Sequence, residues 1–348
     1  MKFLITGVGG FVASHFVDLL LKNNEEVIGS YRWNEDLSRI RHTKDKIKMV
    51  PADLLDLSSL IRMIADNKPD VISHLAAQSF VPDSFTNPII TVETNTIGTL
   101  NLFEAIRIVK DYIDKDYNPI IHIVSSSEVY GKVNKDEIPI TEQYPFRPGN
   151  QYAIGKIGED ATAQFYRDYY GYKVIITRMF SHVGLRRTMM SAENSFCKQI
   201  AEFEKEYEEL KNIDFNNFEV DDKKWEIKQN SIKFYLKHGN LDSTRTWADV
   251  RDAVKAYYEM IKQGKVGEVY NIGGNTVKTI GEMLDYLISL SPIKNKIEKV
   301  LDKSLIRKMD VNLQIVDTSK FRNDIDWKPE ISFGKTMEDL LNWWRENV

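Results

Sequence analysis

Tyr152 and Lys156 carry the chemistry that this sequence spells out most clearly. Residues four apart on a helix share a face. An ammonium beside a phenol favours the phenolate, so Lys156 is expected to make Tyr152 more acidic. A phenolate can take the proton of a hydroxyl while hydride leaves the same carbon. Upstream, Ser125-Ser126-Ser127-Glu128-Val129-Tyr130-Gly131 brings hydroxyls and one carboxylate to the same stretch of chain. A Tyr-Lys pair alone is common on protein surfaces, so its meaning depends on what the rest of the chain places around it.

The first residues supply that context. Lys2-Phe3-Leu4-Ile5-Thr6 is a short apolar run, Gly7-Val8-Gly9-Gly10-Phe11-Val12-Ala13 follows at once, and an amphipathic stretch occupies 14–22. Strand, glycine turn and helix in that order are what a dinucleotide fingerprint requires. Gly7 and Gly10 let the backbone approach a pyrophosphate, which the free N–H groups and dipole of the helix N-terminus then stabilise. A second strand at 26–30 ends in Ser30-Tyr31-Arg32-Trp33, where an acidic residue would bind the 2′-hydroxyl of NAD. That tip holds a guanidinium instead, and Arg32 suits a 2′-phosphate. NADP is therefore favoured and NAD is the alternative, with Arg32 then a solvated loop residue. Asp53, after the third strand, is placed to meet the adenine amino group.

Further apolar runs at 71–75, 120–124 and 173–177 alternate with helical segments at 94–109 and 152–170. Such alternation predicts an α/β fold with a doubly wound parallel sheet, whose ligands bind beyond the carboxyl ends of the strands. The glycine turn, Ala76-Ala77-Gln78 and residues 125–128 all fall at such ends. We read 1–180 as the dinucleotide-binding domain, with a segment at about 238–275 returning to it through a strand at 268–272. The remainder, 181–237 and 276–348, forms a smaller, mainly helical substrate-binding region, with Trp343 and Trp344 packing inward. Residues 201–237 are rich in Glu, Lys, Asp and Asn and read as a solvated helix running into a surface loop.

A chain of 348 residues can bury a large core. Its net charge of −4 gives no reason to expect nucleic acid or an anionic membrane as a partner. The single cysteine, Cys197, fits a reducing cytoplasm, and no apolar run approaches a membrane span. The six histidines lack metal-ligand spacing, so no metal is expected.

Several segments resemble the extended short-chain dehydrogenase/reductase family that acts on nucleotide sugars, and among these the GDP-mannose 4,6-dehydratases. His74-Leu75-Ala76-Ala77-Gln78-Ser79 is similar to the segment bordering the nicotinamide ribose, and Asn95 with Gly98-Thr99 to the helix behind it. Ser126-Ser127-Glu128-Val129-Tyr130-Gly131 resembles Thr-Ser-Glu-Leu-Tyr-Gly. Arg186-Arg187 with Glu193-Asn194, Gly239-Asn240-Leu241-Asp242 with Arg245-Thr246-Trp247, Arg307 to Val311, and Trp327-Lys328-Pro329 resemble later motifs of the dehydratases. Ser181, Leu185, Gln151 and the insertion at 188–192 depart from the pattern.

The resemblance implies a reaction in which Tyr152 takes the C4 hydroxyl proton, helped by Lys156, while Ser126 hydrogen-bonds the oxygen. Glu128 then removes the C5 proton as the C6 hydroxyl leaves as water. It implies cofactor contacts from Gly7, Gly10, Phe11, Val12, Arg32, Asp53, Leu54, Leu75, Ala76 and Ala77, together with Tyr152 and Lys156. Substrate contacts are expected from Ser181, Asn194, Lys198, Asn240, Arg245 and Arg307, because arginine forks suit diphosphate oxygens. A GDP-mannose or a GDP-manno-heptose is the implied substrate, and a homodimer or homotetramer the implied assembly. A 4-keto-6-deoxy-sugar reductase, a 4-epimerase and a non-catalytic dinucleotide sensor are the alternatives.

Overall fold

Seven parallel strands form the main sheet of the computed structural model, which describes residues 1–187, 189, 191–211, 232–306 and 313–348. The apolar runs become β1 (Lys2–Thr6), β2 (Glu26–Tyr31), β3 (Lys48–Pro51), β4 (Val71–His74), β5 (Ile120–Ser126) and β6 (Lys173–Met179). Outside this sheet the chain forms β7 (His182–Val183), β8 (Phe234–His238) and β9 (Thr244–Asp249), then returns to it in β10 (Val269–Ile272). The order is β10-β6-β5-β4-β1-β2-β3. Strand order reverses between β1 and β4, and that crevice is where such sheets bind ligands.

Period-two alternation along β1 splits the core between the two faces. Phe3 and Ile5 pack with Phe16 of the Phe11–Lys22 helix and Tyr257 of the Val250–Gln263 helix. Leu4 packs on the other face with Leu60, Phe103 and Tyr166, from the Leu57–Asn67, Gly98–Ile108 and Gln151–Tyr170 helices. Both faces are thus covered, as the doubly wound reading expects.

The region expected to bind substrate has its own core, in which Phe196, Leu236, Trp247, Met283, Leu340 and Trp344 are buried. Trp343 is only partly buried against it. Short strands accompany its helices. Between the helices Ala192–Lys211, Ile280–Ser289 and Phe333–Asn347 lie β11 (Thr276–Thr279), β12 (Ile297–Leu301) and β13 (Leu313–Gln314). They make two small sheets, β11-β9-β13 with β7 on β9, and the parallel pair β12-β8. Of the segment at about 238–275, only β10 joins the main sheet; β9 belongs to the smaller one. The first helix starts at Phe11 rather than at 14, because Gly10 takes the cap position. Residues 212–231 of the charged stretch, Thr188, Met190 and Arg307 lie outside the described residues.

Candidate active site

The glycine turn is shaped to let a ligand approach the backbone. Gly7 has φ +65°, and a Cβ there would lie 2.9 Å from the Cα of Ala76. Only glycine avoids both the left-handed strain and the backbone collision. Gly10 caps the Phe11–Lys22 helix without a side-chain hydrogen bond, leaving the cap to the backbone. Against this turn lies the loop after β4, fixed by a chain of buried polar groups. The Thr6 hydroxyl accepts from the N–H groups of Leu75 and Ala76, each at 3.0 Å, and meets His74 Nδ1 at 2.9 Å. His74 Nε2 meets the Thr99 hydroxyl at 3.0 Å, and the Asn95 amide exchanges two hydrogen bonds with the Gln78 backbone. Leu75, Ala76 and Ala77 are thereby set beside Gly7.

At the far end of the crevice, Arg32, Asp53 and Arg62 line an open pocket of about 620 Å³, with Glu35 and Asp56 also in its wall. The carboxylates are engaged locally. Glu35 accepts from the Arg32 N–H at 2.9 Å, Asp53 from Leu55 N–H at 2.8 Å, and Asp56 caps the Leu57–Asn67 helix. Neither guanidinium makes a salt bridge among the described residues. Arg62 was missed in the sequence, where nothing but a charged helix position marks it. Leu54 is buried, with its carbonyl accepting from Asn101 at 2.9 Å. Phe11 stacks on His182 with ring centroids 5.9 Å apart, and Val12 is partly buried.

The residues expected to be catalytic come from β5, the turn after it and the Gln151–Tyr170 helix. Ser126 ends β5 and caps the tight turn Ser127–Tyr130, accepting from Glu128 N–H at 3.2 Å. Gly131 then reverses the chain at φ +57°, where any Cβ would run into the Arg147 carbonyl. Asn150 caps the Gln151–Tyr170 helix through Ala153 N–H at 2.8 Å, and its amide also donates to Glu128 Oε2 at 3.1 Å. Gln314 Nε2, from β13, donates to Glu128 Oε1 at 3.2 Å. Glu128 is therefore held from two sides by neutral amides. An asparagine just before a helix is a readable cap signal; nothing local could have revealed Gln314.

Tyr152 and Lys156 are both nearly fully buried. The acidity expected of Tyr152 is only partly realised. Burial raises its pKa, and the Lys156 charge and a hydrogen bond with Ser126 only partly offset that, so the phenol stays above its ordinary value. Lys156 Nζ donates to the Val124 carbonyl and to Glu159 Oε2, both at 2.7 Å. The next residue, Asp160, pairs with Arg178 at 2.8 Å, and Arg178 also donates to the Tyr130 hydroxyl at 3.1 Å.

The expected substrate residues are more scattered. Ser181 follows β6, and its carbonyl accepts from Ala248 N–H at 3.0 Å. Arg245 on β9 is in register with Gln314, which ties it to the sheet that reaches Glu128. Lys198 pairs with Glu202 at 3.4 Å. Asn240 forms a local turn, accepting from Asp242 N–H at 2.9 Å. Asn194 turns into the core. It is wholly buried, accepting from Trp344 Nε1 at 3.0 Å and donating to Ser191 at 3.1 Å, so here it serves the core. Arg186 likewise bonds Asp18 at 2.6 Å, and Arg187 pairs with Glu193 at 2.9 Å.

This sheet, the glycine turn at its switch point and the Ser-Tyr-Lys group define an extended short-chain dehydrogenase/reductase. The chain belongs to the GDP-mannose 4,6 dehydratase family, whose model matches residues 4–219 and 220–340. A dTDP-glucose 4,6-dehydratase of Escherichia coli is 29% identical over 374 aligned positions, spanning 100% of this chain and 94% of that protein. A GDP-6-deoxy-D-mannose reductase of Pseudomonas aeruginosa is 26% identical, spanning 100% and 98%. Among solved structures, RMD from Pseudomonas aeruginosa complexed with NADPH superposes with TM-score 0.76 at 24% identity, covering 100% of this chain and 99% of that one. A dTDP-glucose 4,6-dehydratase from Bacillus anthracis in complex with NAD gives TM-score 0.76 at 25% identity, covering 100% and 97%.

Proposed function

We propose that this chain is a nucleotide-sugar 4,6-dehydratase that converts GDP-mannose or a GDP-manno-heptose to the 4-keto-6-deoxy sugar, with NADP(H) recycled in each turnover. The observation that carries this reading is Glu128. Its carboxylate is fixed by Asn150 and Gln314 in the turn that Ser126 caps, close enough for its charge to act on Tyr152. Oxidation at C4 needs only the tyrosine, lysine and serine. A positioned carboxylate beside them suits removal of the C5 proton.

The chain fits a nicotinamide dinucleotide: Gly7 leaves a cradle that a Cβ would fill, and Arg32 and Arg62 offer cations at the adenosine end. When bound, that cofactor accepts hydride from C4, returns it to C6, and in its oxidised form adds positive charge to the site. Tyr152 takes the C4 hydroxyl proton, and Ser126 holds the same oxygen. Because burial keeps the phenol weakly acidic, Lys156 must stay charged for this step at neutral pH. The new ketone acidifies C5, Glu128 removes that proton, and the C6 hydroxyl leaves as water with a proton equivalent to the one that Tyr152 took from the C4 hydroxyl. Glu128 then returns a proton to C5. Replacing Glu128 with Gln should spare dinucleotide binding and abolish water loss; full dehydration by that variant would remove it as the base.

A second reading, a 4-keto-6-deoxy-sugar reductase, is favoured by the Pseudomonas aeruginosa relative that aligns over the whole chain. In that reaction Tyr152 donates a proton and Glu128 has no essential part. We also propose a homodimer or homotetramer. Ile154, Phe165 and Tyr169 leave the Gln151–Tyr170 helix exposed and apolar, and a second copy would cover them. Sedimentation should report two or four copies; a monomer at micromolar concentration would exclude it.

A further inference from the structure

Lys156 is gripped by a carboxylate that the reaction does not use. Glu159 has no exposed surface, and its Oε2 lies 2.7 Å from Lys156 Nζ. Its Oε1 is buried with no hydrogen-bond partner. An ionised carboxylate in such a place is costly unless a cation compensates it, and the same holds for the lysine.

We propose that Glu159 is a positioning residue of the proton-transfer pair: its carboxylate holds buried Lys156 as an ammonium beside Tyr152. This rests on the reading of Tyr152 as the proton acceptor. Of the charges around the pair, Glu159 acts most strongly on Lys156, with smaller contributions from Tyr152 and Asp160. Asp160, next on the same helix, is committed to Arg178 of β6 through two hydrogen bonds at 2.8 and 3.1 Å. From β5 comes the Val124 carbonyl, which is polar but uncharged. His74, at the end of β4, feels the Lys156 charge, and its own burial keeps it neutral. Glu128 acts on Tyr152 but is held by Asn150 and Gln314.

Two opposed effects act on Lys156. Burial pulls its pKa down, Glu159 pushes it up, and Glu159 with Tyr152 and Asp160 prevails, leaving the lysine above its ordinary value. Burial in turn raises Glu159 to about 7. Protonation of Glu159 on the acid side of neutrality strips Lys156 of its counter-charge. The lysine is then easier to deprotonate. The Glu159 charge by itself raises the Tyr152 pKa, and on this proposal losing the ammonium outweighs losing that carboxylate.

Glu159→Gln preserves shape and removes charge. It should move the acid limb of the kcat profile to higher pH by about one unit, which is about tenfold in kcat at neutral pH. Activity should recover as pH rises, and KM for the nucleotide sugar should stay within about twofold. Glu159→Asp, which keeps the charge, should leave the limb in place and serves if the glutamine variant does not fold. A readout without turnover is the titration of Tyr152 by NMR of ring-labelled tyrosine, assigned with Tyr152→Phe. In Glu159→Gln that titration should move to higher pH. The same shift in a protein that turns over no nucleotide sugar would support Glu159 while defeating the dehydratase reading. A Tyr152 titration that stays put or moves down would overturn the proposal. So would a kcat lowered by one constant factor at every pH, the mark of a purely structural role.

Discussion

Replacing Arg32 and Arg62 with serine, singly and together, tests the choice of dinucleotide. Both guanidinia line the pocket proposed to hold the adenosine end, and neither is spent on a salt bridge among the described residues. A charge-assisted hydrogen bond contributes about 1.5–3 kcal/mol when shielded from water. This pocket is open, so about 1–1.5 kcal/mol per arginine is the better figure, or roughly five- to tenfold in affinity. The double variant should then bind NADP roughly 25- to 100-fold more weakly, since contributions of separate groups add. NAD has no 2′-phosphate, and its affinity should hold within about twofold if the arginines act on that group alone. Titration calorimetry with both dinucleotides would read this directly. The NADP difference should also shrink as salt is raised, because an exposed phosphate contact is screened. Equal loss for NADP and NAD would refute the reasoning, and tighter wild-type binding of NAD would point to Glu35 as the residue that selects.

Gly7→Ala forces a side chain to φ +65° and against the Ala76 Cα; we expect at least about 1–2 kcal/mol of lost stability and dinucleotide binding reduced beyond detection. A thermal midpoint and a binding curve matching wild type would contradict the cradle. Gln314→Leu leaves Glu128 with one amide partner and should lower kcat for water loss roughly tenfold with little change in KM, as expected when a base is less firmly aimed. An unchanged kcat would remove Gln314 from the account. His74 and His122 are wholly buried, with pKa values pushed down to about 3, chiefly by burial. Their folded pKa lies below the unfolded value near 6.5, so the unfolded chain binds the protons. Stability is therefore lost as pH falls from about 6.5 toward 3, at roughly 1.4 kcal/mol per pH unit for each histidine. Thermal midpoints between pH 7.5 and 5 should show this, and His122→Asn should flatten the slope.

The main sheet was legible because each of its strands is an apolar run followed by turn residues. β1, for instance, occupies the expected residues 2–6. The smaller sheets were not. Strands such as β8 and β13 are short and half-exposed, and their pairing with β12 and β9 joins residues far apart in sequence. The proposed reacting groups were picked out by spacing along one helix and one turn. Their supports could be read only in part. Asn150 announces itself as a helix cap, and Glu159 lies one turn from Lys156, but the burial that makes Glu159 matter depends on packing around the whole helix. Gln314 reaches Glu128 across 186 residues of chain, beyond any local pattern. The direction of the Asn194 side chain was not legible either, because a motif match does not say which way a side chain turns. Here Trp344, 150 residues away, claims it.

The most direct test of the central claim is to incubate the purified protein, with no added cofactor, with GDP-mannose and separately with a GDP-manno-heptose, and to follow product mass. The account predicts loss of one water from at least one of them, with the faster substrate identifying the sugar. No water loss from either, together with NADPH oxidation when a GDP-4-keto-6-deoxy sugar is supplied, would contradict it and make this protein a reductase.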